Sequence, residues 1–577
     1  MHIFQRLRDD VIKAASSITD TTEHFANIAI ETPKDRLNGD LSTNAAMILA
    51  PKLKASPRAV AIKLKESLEK LSYIRDIEIA GAGFINFTLD PIEWQKALGQ
   101  ILAQGINYGC SSIGAGQRVN VEYVSANPTG PMHIGHARGA VYGDALARLL
   151  LKSGYDVTKE YYVNDAGSQV LDLARTVFLR YKERCTGKSA QIPEGLYPGE
   201  YLIPLGAKLA EKYGDKFLSQ TEPEYLPIIS GFAISEMLEL IKSDLRELGI
   251  EHDVFFSEKS LHDDKKIQPS LAKLEQQGLI YTGVLPPPKG KTKEGWEEKS
   301  QLLFRSTDFG DDQDRPLQKS DNNWTYFASD IAYAADKILR GFKSLVFVLG
   351  ADHGGYVKRL EAIVKALSDD KVTCEVKLCQ LVNYLENGNS IKMSKRSGNF
   401  TTVRDVVHEV GKDIIRFMML TRKNDIGLDF DLVKVKEQSK DNPVFYVQYA
   451  YVRARSIIAN TKTQLPEAYT IFANGDLDLG LLSSQEEMEF IKLLASWPKV
   501  LEGAAKHFEP HRVAFYLQVV ASSFHALWNL GKENNNYRFI IENDPALTAS
   551  RLALITAMNN VIGCGFDIIG VEALEKM

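Results

Sequence analysis

Cysteine is scarce in this chain, and so is any long apolar run. Only five cysteines stand among 577 residues. Cys110, Cys185, Cys374, Cys379 and Cys564 are scattered; only Cys374 and Cys379 are close, and no second pair or nearby histidine completes a zinc set. A disulfide framework and a structural zinc site are excluded, and all five read as reduced, structural thiols in a cytoplasmic setting. No apolar run reaches the roughly 20 residues that cross a bilayer, so no membrane association is expected. A large charge of one sign is missing too. The formal net charge of −5 neither supports nor excludes a nucleic-acid partner, because a folded RNA is held by a local basic track. A cleavable leader is also absent from the reading. MHIFQRLRDDVIKAASSI carries Asp9 and Asp10 and places Ile3, Phe4, Leu7, Val11 and Ile12 on one helical face, as a domain helix does.

What the chain has is length: 577 residues exceed one core and imply three or four domains. Its 44% apolar and 25% charged residues are those of an ordinary globular protein. The stretch Val119 to Leu151 organises the rest. It reads as a buried strand, a Pro/Gly turn, and a helix opening near Ile134 to Gly135. Such a turn offers backbone N–H groups and the positive end of a helix dipole to a phosphate. His133 and His136 straddle the opening, each with a hydrogen bond to give, while Gly135 lets a nucleotide approach the backbone and Gly130 and Pro131 shape the turn. A plain capping pair of histidines fits the same letters.

Far downstream, IKMSKRSGNF (Ile391 to Phe400) brings Lys392, Lys395 and Arg396 to a glycine-bearing loop that suits a polyphosphate, or else a solvated basic turn. HIGH and KMSK in this order resemble the two signatures of the class I aminoacyl-tRNA synthetases. The likeness tightens to the arginyl-tRNA synthetases through YYVNDAGSQ (Tyr161 to Gln169), FGDDQDR (Phe309 to Arg315), YFASDIAYAADK (Tyr326 to Lys337), GADHGGYVKRL (Gly350 to Leu360) and NPVFYVQYA (Asn442 to Ala450). It runs from the first hundred residues to Met577.

The expected architecture is multidomain α/β. A small N-terminal α+β domain would occupy residues 1–115, a Rossmann-like parallel-sheet catalytic domain 116–430 with an insertion at about 176–300, and a C-terminal α-helical bundle 431–577. In the first, Arg36 to Pro51 has a turn at Asn38 and Gly39 and a helix capped by Ser42 or Thr43, and Ile77 to Leu89 alternates like two strands about a glycine turn. In the second, Gly154 to Val163 reads as a strand whose carboxyl end meets Asn164 to Gln169. Leu345 to Leu349 is an all-apolar strand ending at Asp352 and His353, candidates for ATP contact. Many relatives read GADHHG where Gly354 stands. The insertion holds the helical pattern Phe232 to Leu248 and a loop, Pro286 to Lys299, that lacks apolar periodicity and reads as mobile. Asn442 to Ile458, Ser483 to Leu501, His511 to Leu530 and Ala549 to Ile562 are four amphipathic helices of the bundle.

The resemblance implies activation of L-arginine by ATP and transfer to the 2′-hydroxyl of the terminal adenosine of tRNA(Arg), by positioning and charge stabilisation without an enzyme nucleophile. His133 and His136 would serve the α-phosphate, Lys392 and Lys395 the pyrophosphate, with Met393 and Ser394 beside them on ATP. Mg2+ would accompany ATP, and no protein metal cage is expected. Tyr326 and Asp330, at i and i+4, would meet the guanidinium, Glu122 would add a second carboxylate, and Ser125, Asn127 and His133 would address the rest of the arginine. The family's N-terminal domain grips the tRNA elbow, so Phe84 would stack on a base and Asn86 bond its edge; a core aromatic and a sheet asparagine read equally well. Tyr446, Tyr449 and Arg453 share a helical face and would form an anticodon platform, against half-buried aromatics beside a surface arginine. A monomer is the family expectation. The alternatives are another class I synthetase, for cysteine or glutamate, and a non-catalytic relative that binds tRNA or senses arginine.

Overall fold

The computed structural model describes residues 2–576 apart from 21, 34, 286–299, 320–322, 391–400, 438 and 440–441. The loop Pro286 to Lys299 therefore lies outside the described residues. Helix α1 (Ile3–Ser16) buries Ile3, Phe4, Leu7 and Val11, the face its sequence predicts. It packs with α2 (Ala45–Leu53) and α3 (Pro57–Leu68) against an antiparallel sheet of β1 (Ile30–Glu31), β2 (Leu41–Thr43), β3 (Ile74–Ala80) and β4 (Phe84–Leu89), ordered β1-β2-β4-β3. The expected cap of α2 needs correcting. Ser42 and Thr43 are committed to pairing with β4, so the helix begins at Ala45, with Asn44 at its N-cap position. Helix α4 (Pro91–Gln104) leads out.

A five-stranded parallel sheet follows, ordered β12-β11-β5-β6-β7. Strand β5 (Arg118–Glu122) is central and feeds α5 (Ala137–Lys152), which returns to β6 (Asp156–Val163). Three helices, α6 (Ser168–Thr186), α7 (Ile203–Tyr213) and α8 (Glu222–Glu247), share an apolar core of their own. They precede β7 (Val254–Ser257), α9 (Glu258–Asp263) and α10 (Ile267–Gln276). A small antiparallel sheet, β8 (Ile280–Val284), β9 (Ser300–Phe304) and β10 (Arg315–Pro316), leads to α11 (Tyr326–Leu339). Strand β11 (Ser344–Gly350) is buried along most of its length, as an apolar strand covered on both faces must be. Helix α12 (Val357–Ser368) and β12 (Thr373–Cys379) complete the sheet.

Next come β13 (Val382–Glu386), β14 (Asn389–Ser390), α13 (Val403–Val410), α14 (Lys412–Met419) and β15 (Leu428–Asp431). The C-terminal part is helical throughout: α15 (Pro443–Gln464), α16 (Pro466–Asn474), α17 (Gln485–Ala495), α18 (Trp497–His507), α19 (His511–Glu533) and α20 (Pro545–Ile569). The predicted helix Ser483 to Leu501 is two helices, because Pro498 has no N–H to continue the first one and sits in the opening turn of the second. Helix α20 is long and apolar enough to cross a membrane, although Arg551, Asn559 and Asn560 interrupt its apolar run; 72% of its most apolar window is buried inside the protein, as the centre of the bundle.

One buried charge group ties these parts together. Asp144 of α5 accepts from Arg416 of α14 (2.5 Å) and Arg148 (2.7 Å). Arg416 also donates to the carbonyls of Ile569 (2.7 Å) and Leu248 (2.9 Å), so it touches the ends of α20 and α8. Burial opposes ionisation of Asp144, and the two guanidiniums outweigh it, holding the carboxyl below its usual range. Removing one member strands a buried charge. Asp144→Ala is expected to lower stability by about 3 to 5 kcal/mol, read as an earlier thermal or urea transition. An unshifted transition would show that the group is dispensable.

Candidate active site

The site opens where β5 leaves the sheet. Val124 and Ser125 take left-handed backbone conformations (φ 70° and 39°), uncommon for any side chain and most of all for β-branched valine. Ser125 is pinned there: its hydroxyl accepts from the N–H of Tyr162 (3.0 Å) and donates to Glu122 (3.3 Å). Asn127 accepts from Asn164 at 3.3 Å, joining the carboxyl ends of β5 and β6.

The histidine turn follows. Residues Ile134–His136 form a single 3-10 turn that runs into α5. The rings of His133 and His136 stack with centroids 3.8 Å apart. Gly135 is exposed, and a Cβ there would stand 2.8 Å from the His133 ring, so glycine is needed for the ring to fold back as well as for a ligand to approach. Gly130 is buried instead, and a Cβ there would meet the Tyr201 hydroxyl at 2.9 Å. Its glycine serves the contact with the insertion. Arg138, also buried, donates to the carbonyls of Gln380 (3.0 Å) and Lys423 (2.9 Å) and fixes the turn from behind.

Lys392, Met393, Ser394 and Lys395 lie outside the described residues. The segment that follows them is described, and it runs beside the histidine turn: His133 bridges Thr402, Ile134 N–H donates to Thr401 O (3.3 Å), and Val403 N–H donates to Met132 O (2.8 Å). Thr401 to Val403, just after the second signature, thus meet the first one in space. Asp352 and His353 stand exposed in the 3-10 turn after β11, with 3.6 Å between His353 Nε2 and the Asp352 carboxylate. Packing does not demand glycine at Gly354, where a Cβ would find only Leu378 at 3.8 Å.

At the carboxyl end of β5, the strand that leads to the turn, lies an acidic cluster. Glu122 is one of two buried carboxylates beneath α11: its Oε2 accepts from Lys337 (2.6 Å), a side chain with no exposed surface, while Glu160 accepts from Arg340 (2.6 Å) and Tyr333 (2.7 Å). These four charges balance. Asp330 and Glu258 have no such balance, and among the described residues neither forms an ion pair. Loss of hydration, with Glu258 and Glu122 close by, pushes the Asp330 carboxyl up to about 7; Arg359 counteracts only in part. Desolvation and the nearby Asp165 carboxylate push Glu258 up to about 7 as well, despite a hydrogen bond from Tyr162. Asp165 sets the position of Glu258 by accepting from Ser257 Oγ (2.6 Å) and Lys259 N–H (2.8 Å) at the start of α9. Tyr326, the first residue of α11, is 56% exposed at the rim. The cluster is short of positive charge and lined with aromatic rings, as a guanidinium site should be.

Glu258 and Lys337 were missed in the sequence as parts of this site. Glu258 was readable as an acid at the carboxyl end of a parallel strand, and Lys337 as a lysine on the helical face of Asp330. Among the described residues no group of three or more His, Cys, Asp or Glu is placed to hold a metal ion. All five cysteines are free; Cys110 is exposed and Cys564 buried.

The remaining candidates lie at two distant surfaces. Phe84 is 44% exposed on β4, whereas Asn86, two residues on, is only 5% exposed. The pair does not form one open platform. On α15, Tyr449 is exposed and Arg453 lies over its ring at 4.0 Å; Arg453 also lies 4.8 Å from the ring of Trp528 on α19. Tyr446 is half-buried, with His525 between it and Tyr449. Trp528 and His525 extend the expected face across two helices.

Three family models match the chain: the arginyl tRNA synthetase N terminal domain over residues 5–89, the class I (R) tRNA synthetase catalytic domain over 97–194, and the DALR anticodon binding domain over 447–577. An arginine–tRNA ligase of Rickettsia bellii is 59% identical over 577 residues, the full length of both chains, and one of Rickettsia felis is also 59% identical over the same span. Among solved structures, a putative arginyl-tRNA synthetase of Campylobacter jejuni matches with a TM-score of 0.72 and 31% identity, covering 85% of this chain and 100% of that one. The arginyl-tRNA synthetase of Thermus thermophilus shares the fold at a TM-score of 0.72 and 19% identity, with 100% of both chains covered. Full-length identity at this level shows that the chain belongs to the arginyl-tRNA synthetases.

Proposed function

We propose that the chain is an arginine–tRNA ligase whose amino-acid choice is made by the cluster of Asp330 and Glu258. The observation that carries this reading is their unbalanced charge. A guanidinium keeps its charge at any working pH and offers five donors in a plane, so it supplies what both carboxylates lack. A lysine-like competitor offers a point charge and leaves acceptors unfilled. Glu122, held by Lys337, shapes the floor of the pocket. Ser125 and Asn127, at the strand ends, address the α-amino and carboxylate groups, and Tyr326 closes the rim.

Arginine bound there has its carboxylate near the α-phosphate of ATP. One carboxylate oxygen attacks phosphorus, the bond to the bridging oxygen breaks, and pyrophosphate leaves, giving arginyl-adenylate. The 2′-hydroxyl of the terminal adenosine then attacks the carbonyl carbon and releases AMP. His133 and His136 stabilise charge on the α-phosphate, Gly130 and Gly135 shape the turn, and Asp352 and His353 contact the nucleoside. Lys392, Met393, Ser394 and Lys395 serve the leaving pyrophosphate. Mg2+ would accompany ATP and would help neutralise charge on its phosphates.

Arg453 sandwiched by Tyr449 and Trp528, with Tyr446 behind, supports an anticodon platform of stacked rings and positive charge. Phe84 supports stacking at the tRNA elbow, with Asn86 bracing its strand. The functional units are residues 1–115, 116–430 and 431–577. The chain works as a monomer in the cytoplasm, away from membranes, in keeping with a site assembled within one chain and with the burial of α20.

Pyrophosphate exchange with each amino acid, with and without tRNA, tests the reading. Arginine alone should support exchange when tRNA is present; exchange with another amino acid, or none with arginine and tRNA together, would overturn it. Asp330→Asn should weaken arginine binding by about 2 to 5 kcal/mol, because a buried guanidinium loses its counter-charge; unchanged affinity in calorimetry would remove Asp330 from the pocket. Affinity should also depend on pH. The free carboxyls ionise near pH 7 and the bound ones must be ionised, so affinity is full above that range and falls as pH drops through it. The dissociation constant should rise by up to about tenfold per pH unit for each carboxyl that must lose a proton. A flat profile from pH 8 to 6, taken here as about one unit either side of 7, would contradict the shared acidic pocket.

A further inference from the structure

The chemistry above leaves one buried acid of the insertion without a task. Asp244, in the last turn of α8, is 1% exposed. Its Oδ2 accepts from the N–H of Met132, the residue before His133 (3.1 Å). Its Oδ1 pairs with Arg404 Nη2 (3.1 Å), which also donates to Ser243 Oγ (2.7 Å). Arg404 sits in the first turn of α13, the helix that opens directly after the lysine motif, and Thr402 caps that helix in a reciprocal bond with Asp405.

One carboxylate therefore grips both sides of the junction between the signature regions. On one side it holds the backbone entering the histidine turn; on the other it holds the first helix after KMSK. Main-chain bonds already lie across this junction, Val403 N–H to Met132 O (2.8 Å) and Ile134 N–H to Thr401 O (3.3 Å). The buried face of α13, Val403, Val406, Val407 and Val410, sets its rotation by packing. The ion pair from a third element, α8, adds an anchor at its first turn, and a buried carboxylate is a costly anchor where packing alone would serve.

We propose that Asp244 is a positioning residue for adenylate formation: with Arg404 it sets the register between the histidine turn and the start of α13, the helix that follows the lysine motif in sequence. The proposal rests on the reading that both signature regions act on ATP. Asp244 touches neither substrate, so its effect appears on ATP and on rate, and not on arginine.

The test uses the full-length enzyme with tRNA present, following arginine-dependent pyrophosphate exchange, arginine binding by calorimetry and thermal unfolding. Asp244→Asn and Arg404→Gln should each slow exchange tenfold or more and raise KM for ATP, with the arginine dissociation constant unchanged. The double variant should be no slower than the worse single one, and Arg404→Lys should recover most of the rate. Arg404 is partly exposed (36%), so its variants test the idea even where Asp244→Asn does not fold. Full exchange per folded molecule in Arg404→Gln, multiplying losses in the double variant, or parallel losses of arginine and ATP affinity would overturn the proposal. Wild-type exchange with arginine shows that the functional reading stands whichever way the variants fall.

Discussion

Charge balance beneath α11 is the constraint on which the rest depends. Lys337 has no exposed surface, and its Nζ lies 2.6 Å from Glu122 and 3.9 Å from Glu160. Glu160, in turn, is held below its usual range because Arg340 and Lys337 outweigh the cost of its burial. These groups clamp α11 to β5 and β6. With the helix so placed, Asp330, one face up from Tyr333 and Lys337, is carried to the carboxyl ends of the strands. There it meets Glu258 of α9, and Arg359 offsets the negative charge only in part. A surplus of negative charge in a partly dry site is an unfavourable state that a guanidinium relieves.

The histidine turn owes its place to a different set of bonds. Tyr384 donates to Ile134 O (2.7 Å), Arg138 reaches two carbonyls behind the turn, and Asp244 holds Met132 from the insertion. The turn is therefore braced by β13, by the loop before β15 and by α8. The braces of the histidine turn and those of the acidic cluster are separate sets of bonds, joined through β5. That division suits an enzyme whose chemistry is positional: neither substrate needs an activated side chain, and small errors in distance cost rate steeply.

Much of this was legible in the letters, for reasons that can be stated residue by residue. The strand at Leu345, the α1 face and the histidine turn are local patterns of period and turn chemistry, and local patterns survive folding. Asp330 needed the family resemblance, since an acid on a helix says nothing of what faces it. Glu258 was readable only as an acid at a strand's end; its relevance comes from β7 lying beside β6, a pairing between distant segments. Trp528 meets Arg453 only across two packed helices, and Asp244 matters only because α8 ends at the turn. The N-cap position of α2 shifted to Asn44 because Leu41 to Thr43 pair with β4, although Thr43 Oγ1 still accepts from Ala45 N–H (3.3 Å), and the break at Ser496 was readable from Pro498.

The account turns on where a bound guanidinium sits. A crystal structure of the enzyme with L-arginine measures this directly. The account predicts the guanidinium between Asp330 and Glu258, within hydrogen-bond distance of both carboxylates, with the Lys337 and Glu122 pair intact beneath it. An arginine bound elsewhere, or one whose guanidinium displaces Lys337 from Glu122 and leaves Glu258 without contact, would contradict it.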